Sequence, residues 1–378
     1  MHRLAASKLH QTANSLPYTQ KMLRLSLGLL CGLSLSAQPA LRLTDIQLIG
    51  THNSYHLGLA SSEAALLLKA NPRAAAALDY RHPAISVQLD RGVRQFEFDI
   101  FADSKGGLFS NPAAIAQVAQ ARLPADPPFD PAGVMKKPGF KVIHVQDLDY
   151  RSSCQPFTQC LSLISTWSKT HPGHLPIFIL VENKSDVPRP GSMTIPEKLT
   201  TASFDALDAE IRSVFSPAQL LTPDDVRGTH KTLEQAVLST GWPSLASARG
   251  KVVFLFDQES VTPLYTAGRP SLEGRVLFTN GKPGSPDAAF LKLNNPLADP
   301  SLIPNMVRKG YLVRTMTDPG PAKRDAALAS GAQLLSTDYP FDFRAPNSGY
   351  SVRFDSGNAR CNPILQAPAC TLAALEEK

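Results

Sequence analysis

The sequence predicts an α/β barrel of eight parallel strands, and three observations carry that expectation. Short apolar runs recur along the chain, segments of helical spacing lie between them, and polar residues cluster where the runs end. Strands that alternate with helices pair in parallel, and eight such repeats close on themselves. The strand candidates are Ile46–Ile49, Val93–Phe101, Lys141–Val145, Ile177–Val181, Val252–Phe256, Arg275–Phe278, Tyr311–Thr315 and Gln333–Ser336. Among the intervening segments, Ala60–Leu78, Cys160–Thr170, Ser203–Val214 and Pro321–Ser330 have the alanine content and apolar spacing of helices. An open doubly wound sheet is the competing architecture, but no glycine-rich phosphate loop follows the first strand.

The first elements are set aside. Lys21 and Arg24 precede an apolar run, Leu25–Leu35, and the small residues Ser36, Ala37 and Ala40 follow it. A basic segment, a short apolar segment and small residues define a secretory leader, here residues 1–37, with Met22 as an alternative start. The run is too short to span a bilayer. Its removal takes away Arg3, Lys8, Lys21 and Arg24 and no acidic residue, so the net charge falls from +6 to +2. A nearly neutral mature chain offers no electrostatic footing for nucleic acid. Four of the five cysteines then remain, an even number that suits an oxidising compartment, either secreted or periplasmic. Proximity favours Cys154 with Cys160 and Cys361 with Cys370 among the three pairings open to four cysteines.

Residues 38–378 read as a single domain with two irregular parts. The stretch 103–140 carries prolines at 112, 124, 127, 128, 131 and 138 and forms a long insertion after the second strand. Its Leu108, Phe109, Phe129 and Met135 either touch a membrane transiently or fold down on the barrel. Residues 345–378 form a tail tied by the last cysteine pair. Nothing in the sequence calls for a second subunit, and a monomer is expected.

At the strand ends the chemistry accumulates. Gly50 breaks the first apolar run, and His52 and Asn53 follow it. Glu97 and Asp99 alternate with phenylalanines, so both carboxylates face one side of a strand. Two such carboxylates repel unless a cation lies between them or one is protonated. His144 ends the third apolar run, with Asp147 and Asp149 beyond, and Glu182 and Lys184 share a face at the end of the fourth. Two histidines can take and give protons, and Asn53, Glu97, Asp99 and Glu182 offer oxygen ligands for calcium or magnesium, a set suited to phosphodiester cleavage. His56, His82, His171, His174 and His230 are expected on the surface or in loops, and the Tyr55 ring against substrate, in the core or at the rim.

Gly50-Thr-His-Asn-Ser-Tyr55, Arg94-Gln-Phe-Glu-Phe-Asp99, His144 and Pro176-Ile-Phe-Ile-Leu-Val-Glu-Asn-Lys184 resemble the catalytic region of phosphatidylinositol-specific phospholipase C, most of all the secreted, calcium-dependent bacterial type. Gly331–Tyr339 is similar to the last strand of the wider phosphodiesterase TIM-barrel superfamily. The similarity spans roughly residues 44–344. It implies His52 as base on the inositol 2-hydroxyl or as stabiliser of the transition state, His144 as acid to the lipid alcohol, and Asn53, Glu97, Asp99 and Glu182 as calcium ligands, with magnesium the alternative. Lys184 and Arg314 would hold the phosphate of a phospholipid met at a membrane surface. The implied products are diacylglycerol and a cyclic inositol phosphate. The rivals are a glycerophosphodiester phosphodiesterase or a sphingomyelinase-D-like lyase on the same barrel, and a non-catalytic lipid- or glycan-binding barrel.

Overall fold

The computed structural model describes residues 40–187, 193–346 and 348–377, so the expected leader at 1–37 lies outside the described residues. The strands are β1 (Ile46–Thr51), β2 (Gln95–Phe101), β3 (Lys141–Val142), β4 (Ile177–Lys184), β5 (Val252–Phe256), β6 (Leu277–Phe278), β7 (Phe290–Lys292), β8 (Leu312–Met316), β9 (Leu334–Thr337) and β10 (Ala359–Cys361). Eight of them run parallel in the order β6-β5-β4-β2-β1-β9-β8-β7. A parallel bridge between Asn280 and Phe290 brings the two ends of that order together, and the sheet becomes a barrel. β1, β2 and β5 are buried at every position, as strands enclosed by helices must be.

The barrel is the expected one, but one of its staves is not. The apolar run Lys141–Val145 predicts a barrel strand, whereas only Lys141 and Val142 are extended and they pair antiparallel with β2, Ile100 against Val142 and Phe101 against Lys141. The eighth parallel strand is β7, three residues long. Two features hid it: it is too short to show a period, and prolines stand at 283, 286 and 296 around it.

The seam between β1 and β2 explains the exchange. These strands pair at one position only, Gly50 against Gln95. Gly50 is required there, because a Cβ would lie 2.2 Å from the Gln95 side chain. At the top of the seam β3 lies along β2. At the bottom β10 lies antiparallel along β1, Ile46–Leu48 against Cys361–Ala359. The tail is held by the Cys361–Cys370 disulfide and by Glu377, which pairs with Arg94 beneath the barrel. The second expected disulfide, Cys154–Cys160, is also present.

The helices follow from their sequence periods. Phe157–Thr170 buries Phe157, Cys160, Leu161, Ile164 and Trp167, the three-and-four spacing of one helical face. Asn71-Pro72 divides the expected 60–78 helix into Ser61–Ala70 and Pro72–Ala77, since proline cannot continue a helix and the Asn71 side chain caps Ala74 N–H at 3.1 Å. The insertion forms a small core of its own, in which Phe109 and Met135 are buried against Phe101, Ile143 and Tyr150, with Phe129 packed beside them. Of its four apolar residues offered for membrane contact, Leu108 remains 36% exposed.

Candidate active site

The C-terminal ends of the parallel strands converge on a polar mouth. β1 delivers His52 in the turn after Thr51. Its Nδ1 lies 3.0 Å from Asp338 Oδ1, just beyond β9, and its Nε2 lies 3.9 Å from Glu97 Oε1 on β2. Burial works against the imidazolium, but the Glu97 and Asp338 charges outweigh it and raise His52 to about 9. Asn53 adopts a left-handed backbone (φ 46°), a conformation asparagine tolerates better than most residues. Its amide donates to Tyr80 Oη at 2.8 Å, and its own Oδ1 is buried without a donor. The next residue, Ser54, bonds the β2 backbone at Glu97 in both directions, N–H to carbonyl at 3.0 Å and Oγ from N–H at 2.8 Å.

β2 and β4 supply the acids. Glu97, Asp99 and Glu182 bring carboxylate oxygens within 4.8 Å of one another. Arg314 on β8 is buried and pairs with Glu97, donating also to Ser336 Oγ at 2.9 Å and to Asn294. Lys184 Nζ stands 2.9 Å from Asp99 and 3.3 Å from Glu182. Burial pushes Asp99 up to about 7 against the pull of Lys184, with Glu182 and Glu97 adding their repulsion. Burial likewise opposes the Lys184 ammonium, but Asp99 and Glu182 prevail and hold its pKa above the usual lysine value.

Three carboxylates and an amide, with Asn53 Oδ1 and Asp99 Oδ1 buried and unpaired, fit a hard cation. They lack the histidine nitrogen and cysteine sulfur on which zinc sites mainly rely.

His144 reaches the mouth by another route than expected. It ends the short excursion after β3, whose Ile143 N–H donates to the Asp99 carbonyl at 3.1 Å. His144 Nδ1 lies 2.7 Å from Asp149 Oδ2, and the same oxygen lies 2.7 Å from His56 Nε2. These two hydrogen bonds overcome the penalty of burial and hold the Asp149 carboxyl down at about 2. His56 is therefore no surface histidine: it is fully buried, its Nδ1 donating to the Tyr80 carbonyl at 3.0 Å. His82 and His174 are buried as well, each donating to a backbone carbonyl, that of His52 for His82 and that of Leu175 for His174. The Tyr55 ring lies in the core, stacked on Phe98 at 6.1 Å.

The mouth holds further groups that the motifs did not single out. Tyr80 stacks on His56 at 4.1 Å and faces His52 at 6.2 Å. Asp257 follows β5 and pairs with Lys292 at the end of β7. The strand-end rule points to Asp257, whereas Lys292 sits on the strand that periodicity missed.

A family model described as phosphoinositide phospholipase C, Ca2+-dependent, matches residues 41–363. The chain belongs to this calcium-dependent family. It is thus a phosphoric diester hydrolase by family, and the magnesium alternative finds no support. Solved structures similar to this phospholipase agree in fold. A calcium-dependent phosphoinositol-specific phospholipase C from a Pseudomonas species is 16% identical, with 85% of this chain and 95% of that chain covered and a TM-score of 0.52. Its myoinositol complex gives 18% identity, 85% and 96% coverage, and 0.51. The calcium-dependent enzyme from Streptomyces antibioticus gives 19%, 79% and 95%, and 0.50. No curated protein matches the sequence. Among the described residues no helix of this family member is long and apolar enough to cross a membrane.

Proposed function

We propose that this protein is a secreted phospholipase C that cleaves phosphatidylinositol-type lipids to diacylglycerol and a cyclic inositol phosphate. The observation that carries the reading is a pair of imidazoles, each held by its own carboxylate, on either side of an oxygen-only ligand set. The leader expected at residues 1–37 and the two disulfides support an extracellular site of action.

His52, its Nδ1 turned to Asp338, presents Nε2 to the mouth; a cation held by Glu97 would offset the carboxylate charge that keeps the imidazole protonated, so that Nε2 takes the proton of the inositol 2-hydroxyl as that oxygen attacks phosphorus. His144, its Nδ1 turned to Asp149, presents its other nitrogen and gives a proton to the glycerol oxygen as the phosphorus–oxygen bond breaks. Asn53, Glu97, Asp99 and Glu182 would hold the calcium ion, which supplies positive charge to the phosphoryl oxygens. Lys184 and Arg314 add fixed positive charge beside the phosphate, while Asp257 and Lys292 offer an acceptor and a donor to the ring hydroxyls.

The test is release of inositol phosphate from phosphatidylinositol vesicles, with calcium and then with excess chelator. Calcium-dependent release is expected, and it should vanish in His52→Ala and His144→Ala. Glycerol phosphate or ceramide phosphate from the corresponding lipids, with no inositol product, would overturn the reading in favour of the other chemistries this barrel supports.

A further inference from the structure

A second concavity lies on the insertion, which the mechanism above does not use. Helix Ala113–Gln120 and the proline-rich run 123–131 enclose a groove of about 580 Å³, walled by Ile115, Val118, Ala119, Leu123 and Phe129. Its acidic neighbours and Arg151 are already committed. Asp126 accepts the N–H groups of Ser62 and Glu63 at 3.0 and 3.1 Å, Asp130 those of Val134 and Met135, and Glu63 is tied to Arg151 and Tyr150. A groove whose acidic groups are satisfied from within offers a ligand mainly apolar contact. Ile115 is nevertheless 47% exposed there.

The helix that walls the groove is tied to the loop that carries the acid. Ala113 N–H donates to Asp147 Oδ1 at 2.9 Å and Ala114 N–H to the Asp147 carbonyl at 3.1 Å. Asp147 is the tip of the tight turn that runs from His144 to Asp149, closed by the Val145 and Asp149 backbone bonds at 3.0 and 2.8 Å. Arg151, two residues after Asp149, lines the groove. Through Arg151, the chain that places the proton donor thus runs on into the wall of the groove.

We propose that this groove receives an acyl chain of the glycerolipid, on the leaving-group side of the scissile bond. The assignment rests on the phospholipase reading and deepens it. The oxygen that His144 protonates belongs to the diacylglycerol, so its hydrocarbon must pass the His144 side of the mouth. Each methylene withdrawn from water is worth up to about fourfold in binding. Three or four methylenes buried at half that free energy give about a tenfold preference.

The experiment compares water-soluble diheptanoyl-phosphatidylinositol, kept below its micelle concentration, with deacylated glycerophosphoinositol. The unmodified protein should favour the acylated substrate about tenfold in kcat/KM. Ala119→Phe, which fills the groove from an exposed helical position, should cut that ratio to within about twofold of unity. Ile115→Asp, which places a charge at the rim, should do the same if the larger ring fails to fold. An unchanged ratio in folded variants would overturn the assignment, as would a loss confined to vesicles, which would mark a membrane contact instead. Release from neither substrate by the unmodified protein would overturn the phospholipase reading and the groove with it.

Discussion

Replacing Asp149 by asparagine separates charge from shape at the point where His144 is held. The carboxylate is 1% exposed and meets two imidazoles through one oxygen, each at 2.7 Å. Its folded value near 2 lies below the ordinary 3.8, so its contribution to stability is present above about pH 4 and is lost as the pH falls toward 2. That difference corresponds to about 2 kcal/mol. The asparagine variant should lose a similar amount at neutral pH and should lack the acid transition. Activity should suffer more. An amide can still accept from one ring but no longer stabilises a protonated His144, so most of the roughly 10²–10⁴-fold supplied by a general acid should disappear from kcat/KM. Because Asp149 acts through His144, the Asp149→Asn, His144→Ala double variant should be no slower than His144→Ala alone. Initial rates at saturating calcium, with thermal melts on the same samples, decide the matter. A single variant that keeps half its kcat/KM, or losses that multiply in the double variant, would refute the reasoning.

Three further outcomes are expected. Burial lowers His82 to about 4, so the native state keeps it neutral while the unfolded chain binds a proton below about 6.5. Stability should therefore fall as the pH drops from 6.5 to 4, by about 3 kcal/mol, and His82→Gln, read by melting temperature against pH, should flatten that window. Asn53→Ala and Asp99→Asn should raise the calcium concentration needed for half-maximal rate by at least tenfold, and an unchanged calcium dependence would remove both from the ligand set. Glu377→Gln withdraws the charge opposite Arg94, whose side chain is 2% exposed. It should cost about 2 kcal/mol, toward the low side for a buried pair because Glu377 is partly exposed, and should leave kcat/KM as it was.

The parts of this site that could be read from sequence are those carried by regular strands. Glu97 and Asp99 alternate with buried phenylalanines on β2, so period two alone places both on one face, and Glu182 stands directly beside Asp99 where β2 and β4 pair. His52 follows a strand broken by a glycine. What stayed hidden depends on contacts between residues far apart in sequence. No local pattern says that His56 will be buried against Asp149, 93 positions away, or that Asp338 will meet His52 across 286. The same holds for β3: Lys141–Val145 is apolar because it is buried, and burial does not reveal whether its partner runs parallel or antiparallel. β7 fell below the length at which a period exists.

Gly50 is where fold and chemistry meet, and a single methyl there tests the link. Regular pairing of β1 with β2 would close the seam and leave no edge of β2 for β3, and hence no path for His144 into the mouth. The single Gly50–Gln95 contact keeps the strands together while the rest of the seam is filled by β3 above and β10 below. An alanine Cβ would stand 2.2 Å from Gln95 Oε1 and 2.5 Å from its Cβ, and the latter cannot swing away as a side-chain tip could. β2 must therefore shift by several tenths of an ångström, at a cost of about 1–3 kcal/mol for overpacking. That shift moves Glu97 and Asp99 against His52, whose Nε2 is 3.9 Å from Glu97. Gly50→Ala should consequently lower kcat/KM by at least tenfold at temperatures well below its own melting point. A variant that melts earlier yet keeps its full rate would show that the seam serves stability alone.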